Sequence, residues 1–157
     1  MEAKADFSVP NDTLTITIAS EPDYPPFCVV DEQGQPDGFS IDLIKAAAKV
    51  RNIHLNIHVG PWFKIKQDLA DGKIDALPMV GKTPERDSLF DFTFPYITLH
   101  GAIFVRKNDH SIQSADDLRG KHLVVMKGDN AEEFIRRNAL TNQITTTNTF
   151  EEAFRLL

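Results

Sequence analysis

Between residues 14 and 80 the apolar residues change spacing repeatedly, from every second residue to every third or fourth and back. Leu14, Ile16 and Ile18 alternate with Thr15 and Thr17, which predicts a strand. Ser40 offers a helix cap, and Ile41, Leu43, Ile44, Ala47 and Ala48 form an apolar stripe at helical spacing to about Val50. Ile53, Leu55, Ile57 and Val59 alternate again as a second strand. Pro61 opens another helix, with Trp62, Ile65 and Leu69 on one side and Gly72 as its stop. Ile74 to Val80 is an apolar run apart from Asp75 and reads as a strand covered on both faces. Strand, helix, strand, helix, strand in that order predicts a right-handed parallel α/β unit.

Three prolines interrupt Ala19 to Phe27, so this segment is a loop at the carboxyl end of the first strand. In open α/β sheets ligands bind at such ends. A second α/β unit follows. Ile97 to Val105 is extended and apolar, and Ser114 to Asp117 forms a short capping box before Gly120. His122 to Met126 is a strand, Gly128-Asp129-Asn130 leads into a helix carrying Phe134 and Ile135, and Ile144 to Thr147 is a further strand. Thr149 to Glu152 is another capping box, and Phe150, Ala153, Phe154 and Leu157 follow at helical spacing. Residues 1–12 read as a loose polar lead-in. The last helix reaches Leu157 with no cap and no following strand, which reads as a truncation. Its unburied stripe and an open sheet edge predict self-association or a poorly ordered tail.

Composition narrows the function. With 17 Lys plus Arg against 23 Asp plus Glu, the net charge is −6, and no basic run points to nucleic acid or an anionic membrane. No apolar run approaches the ~20 residues that span a bilayer, and Met1 is not followed by a signal peptide. The single Cys28 lies in an apolar patch and reads as a buried inert thiol. His54 and His58 lie four apart on a strand, ~13 Å, too far to share an ion. No Cys/His cluster, phosphate-cradling glycine loop or Ser/His/Asp constellation is present, so no cofactor and no metal are expected.

Thr83-Pro-Glu-Arg86 is more pointed. Thr83 is a good N-cap, Pro84 falls at the first helical position, and Arg86 lies just inside the helix start. A guanidinium fits a carboxylate with two parallel hydrogen bonds, and a helix start adds free N–H groups and a positive dipole end. That arrangement suits an anionic small molecule; a solvated Arg on an ordinary surface helix carries the same residues.

Six pieces in order resemble the family 3 extracytoplasmic solute-binding proteins, the type II periplasmic binding proteins of polar amino acids, and the related sensor domains of histidine kinases and diguanylate cyclases. They are Tyr24-Pro-Pro-Phe27; Gly38 to Leu43; Trp62 with Leu69 to Ala76; Thr83 to Arg86; Asp91-Phe92 with Pro95-Tyr96; and Leu118 to Lys121 leading to Gly128. The resemblance implies an α/β fold of two lobes with ligand clamped between them. Lobe 1 would span residues 13–98, nearly complete but lacking its C-terminal return segment. Residues 99–157 would supply a crossing strand and a partial lobe 2. Roughly the last third of the family module would be missing.

The resemblance also implies roles for single residues. Arg86 matches the arginine that holds the ligand α-carboxylate. Gly81 and Met79 match positions lining the same side of the cleft, Tyr24 and Trp62 the aromatics that sandwich the ligand side chain, and Met126 an apolar residue on the opposing lobe. Glu21 falls where an acid often meets the ligand ammonium. Asp129 and Asn130 match the lobe 2 loop that meets the carboxylate. Two departures count against a plain α-amino acid. Gly81 lacks a hydroxyl that is usual there. Asp129 would put a carboxylate against the ligand carboxylate, unless it caps its own helix in the box Asp129-Asn-Ala-Glu132.

The implied function is binding, without catalysis, of a small zwitterionic or anionic, amino-acid-like solute. The setting would be periplasmic or extracytoplasmic, with a membrane-attached signalling or ABC transport partner. Pro78 to Thr83 looks more like the sensor-fused relatives. The alternative is a lyase or hydrolase on the same scaffold, with Glu21 or Asp129 as its acid or base.

Overall fold

A computed structural model describes residues 14–157. The lead-in expected over residues 1–12 and the boundary at residue 13 lie outside the described residues. Strand β1 (Thr15–Ser20) carries the first apolar alternation, and its end is deeply buried, with Ile18, Ala19 and Ser20 almost solvent-free. The chain then makes a small antiparallel sheet of β2 (Asp23–Tyr24), β3 (Cys28–Val30) and β4 (Pro36–Asp37). Helix α1 (Phe39–Val50) returns the chain to β5 (His54–Val59), which pairs parallel with β1 from Thr15↔His54 to Ser20↔Val59. Helix α2 (Trp62–Ala70) follows, stopped by Gly72 in the left-handed conformation. The parallel α/β unit read from the periodicity is therefore present.

Ser40 does not cap α1. The helix begins at Phe39 with Gly38 as N-cap, and backbone carbonyls do the capping: Phe39 N–H donates to Pro26 O at 3.0 Å and Ser40 N–H to Phe27 O at 2.9 Å. Gly38 is required there, because its φ is 105° and a Cβ would lie 2.7 Å from Phe27 O. Ser40 is instead a buried tie, its hydroxyl 3.0 Å from the Tyr96 hydroxyl, which donates to Pro78 O at 2.6 Å.

The strand expected over Ile74–Val80 is reduced to one parallel bridge, Ile18↔Ala76. Asp75 N–H donates to Thr17 O, and Thr17 N–H donates to the Asp75 carboxylate, each at 2.8 Å. Pro78 then has no N–H to offer, so the ladder cannot continue. Ile97–Val105 is likewise unpaired among the described residues, and Leu99, Ile103 and Phe104 are exposed there.

A one-turn helix, α3 (Pro84–Asp87), precedes this stretch, and a 3-10 turn (Asp116–Leu118) follows it. Strand β6 (Leu123–Met126), helix α4 (Asn130–Arg137), strand β7 (Ile144–Thr147) and helix α5 (Phe150–Leu156) form the second unit, with β6 and β7 parallel from Leu123↔Ile144 to Met126↔Thr147. Both helix caps act locally. Asp129 accepts from Ala131 N–H at 2.8 Å and Thr149 Oγ1 from Glu152 N–H at 3.1 Å. Glu132 and Glu152 reach one residue further back than a capping box requires, to Gly128 N–H and Asn148 N–H. Ala19, Trp62, Ile65 and Met126 form a buried cluster with Phe150 against it, so β6 and α5 pack directly on β1 and α2.

Candidate functional site

Arg86 stands where the two units meet. Thr83 caps α3 as the sequence predicts, accepting from Arg86 N–H at 3.3 Å, and Pro84 occupies the first position. The helix is only four residues long, so the dipole expected to help an anion is that of a single turn. The guanidinium carries the charge instead. Its side chain is 3% exposed and every nitrogen is engaged: Nε to the Glu133 carboxylate at 3.0 Å, Nη1 to Gly81 O at 3.1 Å and Nη2 to Gly128 O at 3.2 Å. The guanidinium therefore does not present a two-pronged face to one carboxylate. It splits its donors between a carboxylate and two backbone carbonyls.

Glu133, on α4, takes hydrogen bonds from three side chains of the first unit: Lys66 Nζ at 2.9 Å, Thr83 Oγ1 at 2.9 Å and Arg86 Nε at 3.0 Å. Burial alone would raise its pKa. The Lys66 hydrogen bond, the Arg86 charge and the Thr83 hydroxyl outweigh burial and hold it below the ordinary carboxylate range. The Gly128 carbonyl accepts from three donors as well, Trp62 Nε1 at 2.8 Å, Lys66 Nζ at 2.6 Å and Arg86 Nη2 at 3.2 Å. Arg137 of α4 adds a more exposed pair with Glu85 of α3 at 2.6 Å.

Trp62 is the floor of this contact. It is 6% exposed, and the Arg86 guanidinium lies over its ring at 5.1 Å from the centroid. Met126 packs against it from β6. Gly81 provides a carbonyl to Arg86, and a Cβ there would come within 3.1 Å of Asn130 Nδ2. The structure thus brings together Arg86, Trp62, Gly81, Met126 and Asn130.

Glu21 and Met79 lie beside them, on a hollow of about 10 Å³ that is also lined by Ser20, Cys28, Trp62 and Leu77. That space holds about one water molecule. The Glu21 carboxyl is pushed up to about 7, first by burial and then by the charges of Asp129 and Asp23. Burial also pushes the Cys28 thiol up, as suits an inert thiol. Tyr24 stacks on Phe150 at 6.3 Å. It borders an open groove of about 510 Å³ with Phe150, Phe154 and Arg155. Asp129 spends a carboxylate oxygen on its own helix cap, the second of the two roles read from the sequence. No group of three His, Cys, Asp or Glu among the described residues is placed to hold a metal ion.

Sequence reasoning missed Glu133 and Lys66, and it assigned Thr83 a capping role alone. A local signal existed for each. Lys66 is one helical turn beyond Trp62, and Glu133 one turn beyond the Asp129 cap, so each shares a face with a residue already singled out.

Two α/β units docked through an arginine, an aromatic floor and a helix start define a two-lobed, type II periplasmic-binding-protein-like fold. The chain belongs to the bacterial extracellular solute-binding proteins, family 3, whose pattern it matches over residues 16–155. It is 32% identical over 127 residues to the L-cystine-binding protein TcyJ of Escherichia coli K12, covering 79% of this chain and 47% of that protein. Among solved structures it resembles a histidine kinase sensor domain with similarity to periplasmic binding proteins, at a TM-score of 0.84 and 28% identity, covering 92% of this chain and 64% of that one. It also resembles an ancestral arginine-binding protein bound to glutamine, at a TM-score of 0.77 and 35% identity, with 91% and 64% covered. The chain spans about half the length of the curated relative it matches.

Proposed function

We propose that this chain forms part of a two-lobed receptor for a small amino-acid-like solute, binding without catalysis. Lobe 1 comprises residues 13–98, and residues 99–157 comprise the crossing segment with part of lobe 2. The observation that carries this reading is the convergence of Arg86, Thr83 and Lys66 on one carboxylate, with the Arg86 and Lys66 cations over the Trp62 ring. A donor set that satisfies a carboxylate of the chain is chemically suited to a carboxylate from solution. Such charge-assisted bonds are among the strongest available to a small site. Glu21 and Asp129 place carboxyl groups on the neighbouring side, where a ligand ammonium would lie and would favour the ionised form of Glu21.

The matched relatives include receptors for cystine and arginine and a kinase sensor domain, which supports an extracytoplasmic setting and a membrane-attached partner. A ligand that binds the closed arrangement more tightly than the open one shifts the protein toward closure, and closure is the output.

Titration calorimetry of the chain with L-cystine, L-arginine, L-glutamine, small dicarboxylates and polyamines tests the proposal. One-to-one binding of an amino acid is expected, weakened by ~1.5–3 kcal/mol in Arg86→Ala. Binding that survives Arg86→Ala unchanged overturns it. A second reading, an enzyme of the same scaffold, draws on Glu21, whose carboxyl at about 7 has the proton affinity of a general acid or base. Turnover of a bound solute that disappears in Glu21→Gln would select that reading.

A further inference from the structure

The carboxylate cradle described above is closed to solvent by a carboxylate of the chain itself. Arg86 is 3% exposed, and each of its three nitrogens already donates to Glu133, Gly81 O or Gly128 O. Thr83 Oγ1 and Lys66 Nζ are committed to the same Glu133. A solute carboxylate reaches these donors only when Glu133 leaves them. Resting on the receptor reading, we propose that Glu133 is a tethered competitor for the carboxylate cradle, and that it sets specificity by excluding solutes that offer a carboxylate and little else.

The argument is one of competition within a single molecule. Glu133 is held on α4, whose N-terminal approach also delivers Gly128 O to Trp62, Lys66 and Arg86. These contacts form and break together, because both acceptors ride on the same helix start. A tethered group acts at an effective concentration in the millimolar range or above. It lowers the apparent affinity of any solute that must displace it. Acetate replaces what Glu133 provides and adds nothing, so it loses. A larger solute adds contacts to Trp62 and the Glu21 side of the hollow, and these tip the exchange in its favour. Two cations face Glu133, Lys66 and Arg86, so removing its charge leaves a cradle with a surplus of positive charge. Such a cradle takes up an external carboxylate.

Acetate is the probe. Trp62 is the single tryptophan of the chain and touches both Arg86 and Gly128, so its fluorescence reports the cradle directly. Sodium acetate is titrated into the wild-type chain, Glu133→Ala, and Arg86→Ala/Glu133→Ala, with sodium chloride at matched ionic strength as control. Glu133→Gln, which keeps the shape and an acceptor for Thr83, is run beside them and carries the comparison where the alanine variant does not fold. The expected result is an acetate midpoint at least about tenfold lower in the Glu133 variants than in the wild type, with no saturable response in the double variant. Equal midpoints in wild type and variants overturn the competitor role and leave the carboxylate cradle standing. An acetate response in none of the four proteins overturns the cradle, and the receptor reading with it.

Discussion

Arg86 and Glu133 form one ion pair between the two α/β units, at 3.0 Å, with side-chain exposures of 3% and 15%. Breaking a buried pair by removing one partner is costly, because the other is left desolvated without compensation. Here Lys66 and Thr83 remain to hold Glu133. Arg86→Ala is therefore expected to destabilise the chain by about 3 kcal/mol, the low end for such pairs. Urea denaturation followed by circular dichroism measures this, and a loss below ~0.5 kcal/mol would mean that the pair is solvated.

Trp62 contributes by packing more than by its hydrogen bond. Gly128 O keeps Lys66 and Arg86 as donors when the indole N–H is removed. Trp62→Phe should cost only about 0.5–1.5 kcal/mol for the lost bond and slightly smaller ring. Trp62→Ala opens a cavity under Arg86, among Ala19, Ile65 and Met126, and should cost about 3–5 kcal/mol. The same denaturation experiment separates them. Similar losses for the two variants would contradict this division.

The raised Glu21 carboxyl makes stability depend on pH in a definite direction. Between the ordinary value of 4.5 and about 7, the folded chain holds a proton that the unfolded chain has released. Stability therefore falls as pH rises through this window, by up to about 3 kcal/mol. Glu21→Gln carries no charge at any pH and removes this dependence. At pH ~8 the variant should be more stable than wild type by about 1–3 kcal/mol, and at pH ~4.5 the two should match. A variant less stable than wild type at the higher pH would show that the carboxylate is welcome where it lies.

Phe94, Leu99, Ile103 and Phe104 are exposed apolar side chains of the segment between α3 and the 3-10 turn, and Phe104 meets Phe154 of α5 edge-on at 5.0 Å. Exposed apolar surface drives association where it gathers into a patch. Sedimentation velocity is expected to show concentration-dependent self-association of the chain. Phe94→Ser with Phe104→Ser should shift the distribution toward monomer, whereas a monomer at every concentration would mean that the surface is tolerated in water.

Much of this was legible along the chain. Strands β1 and β5 and helices α1 and α2 follow from apolar periods of two and of three to four, because burying one face requires that spacing. Thr83, Asp129 and Thr149 were readable as caps, since a cap reaches only two or three residues. The Ile74–Val80 run misled because hydrophobicity alone does not build a ladder, and Pro78 withholds the donor that pairing needs.

Local patterning determined which segments form strands and helices, where the caps fall, and that an arginine stands at the start of a short helix. Only the tertiary structure decided what that arginine holds. Glu133 lies 47 residues from Arg86 and 67 from Lys66, and Gly128 lies 66 from Trp62. No period or propensity acts over such separations. The docking of α4 against α2 and α3 brings these groups together, and the desolvation of the ion pair makes their partnership selective.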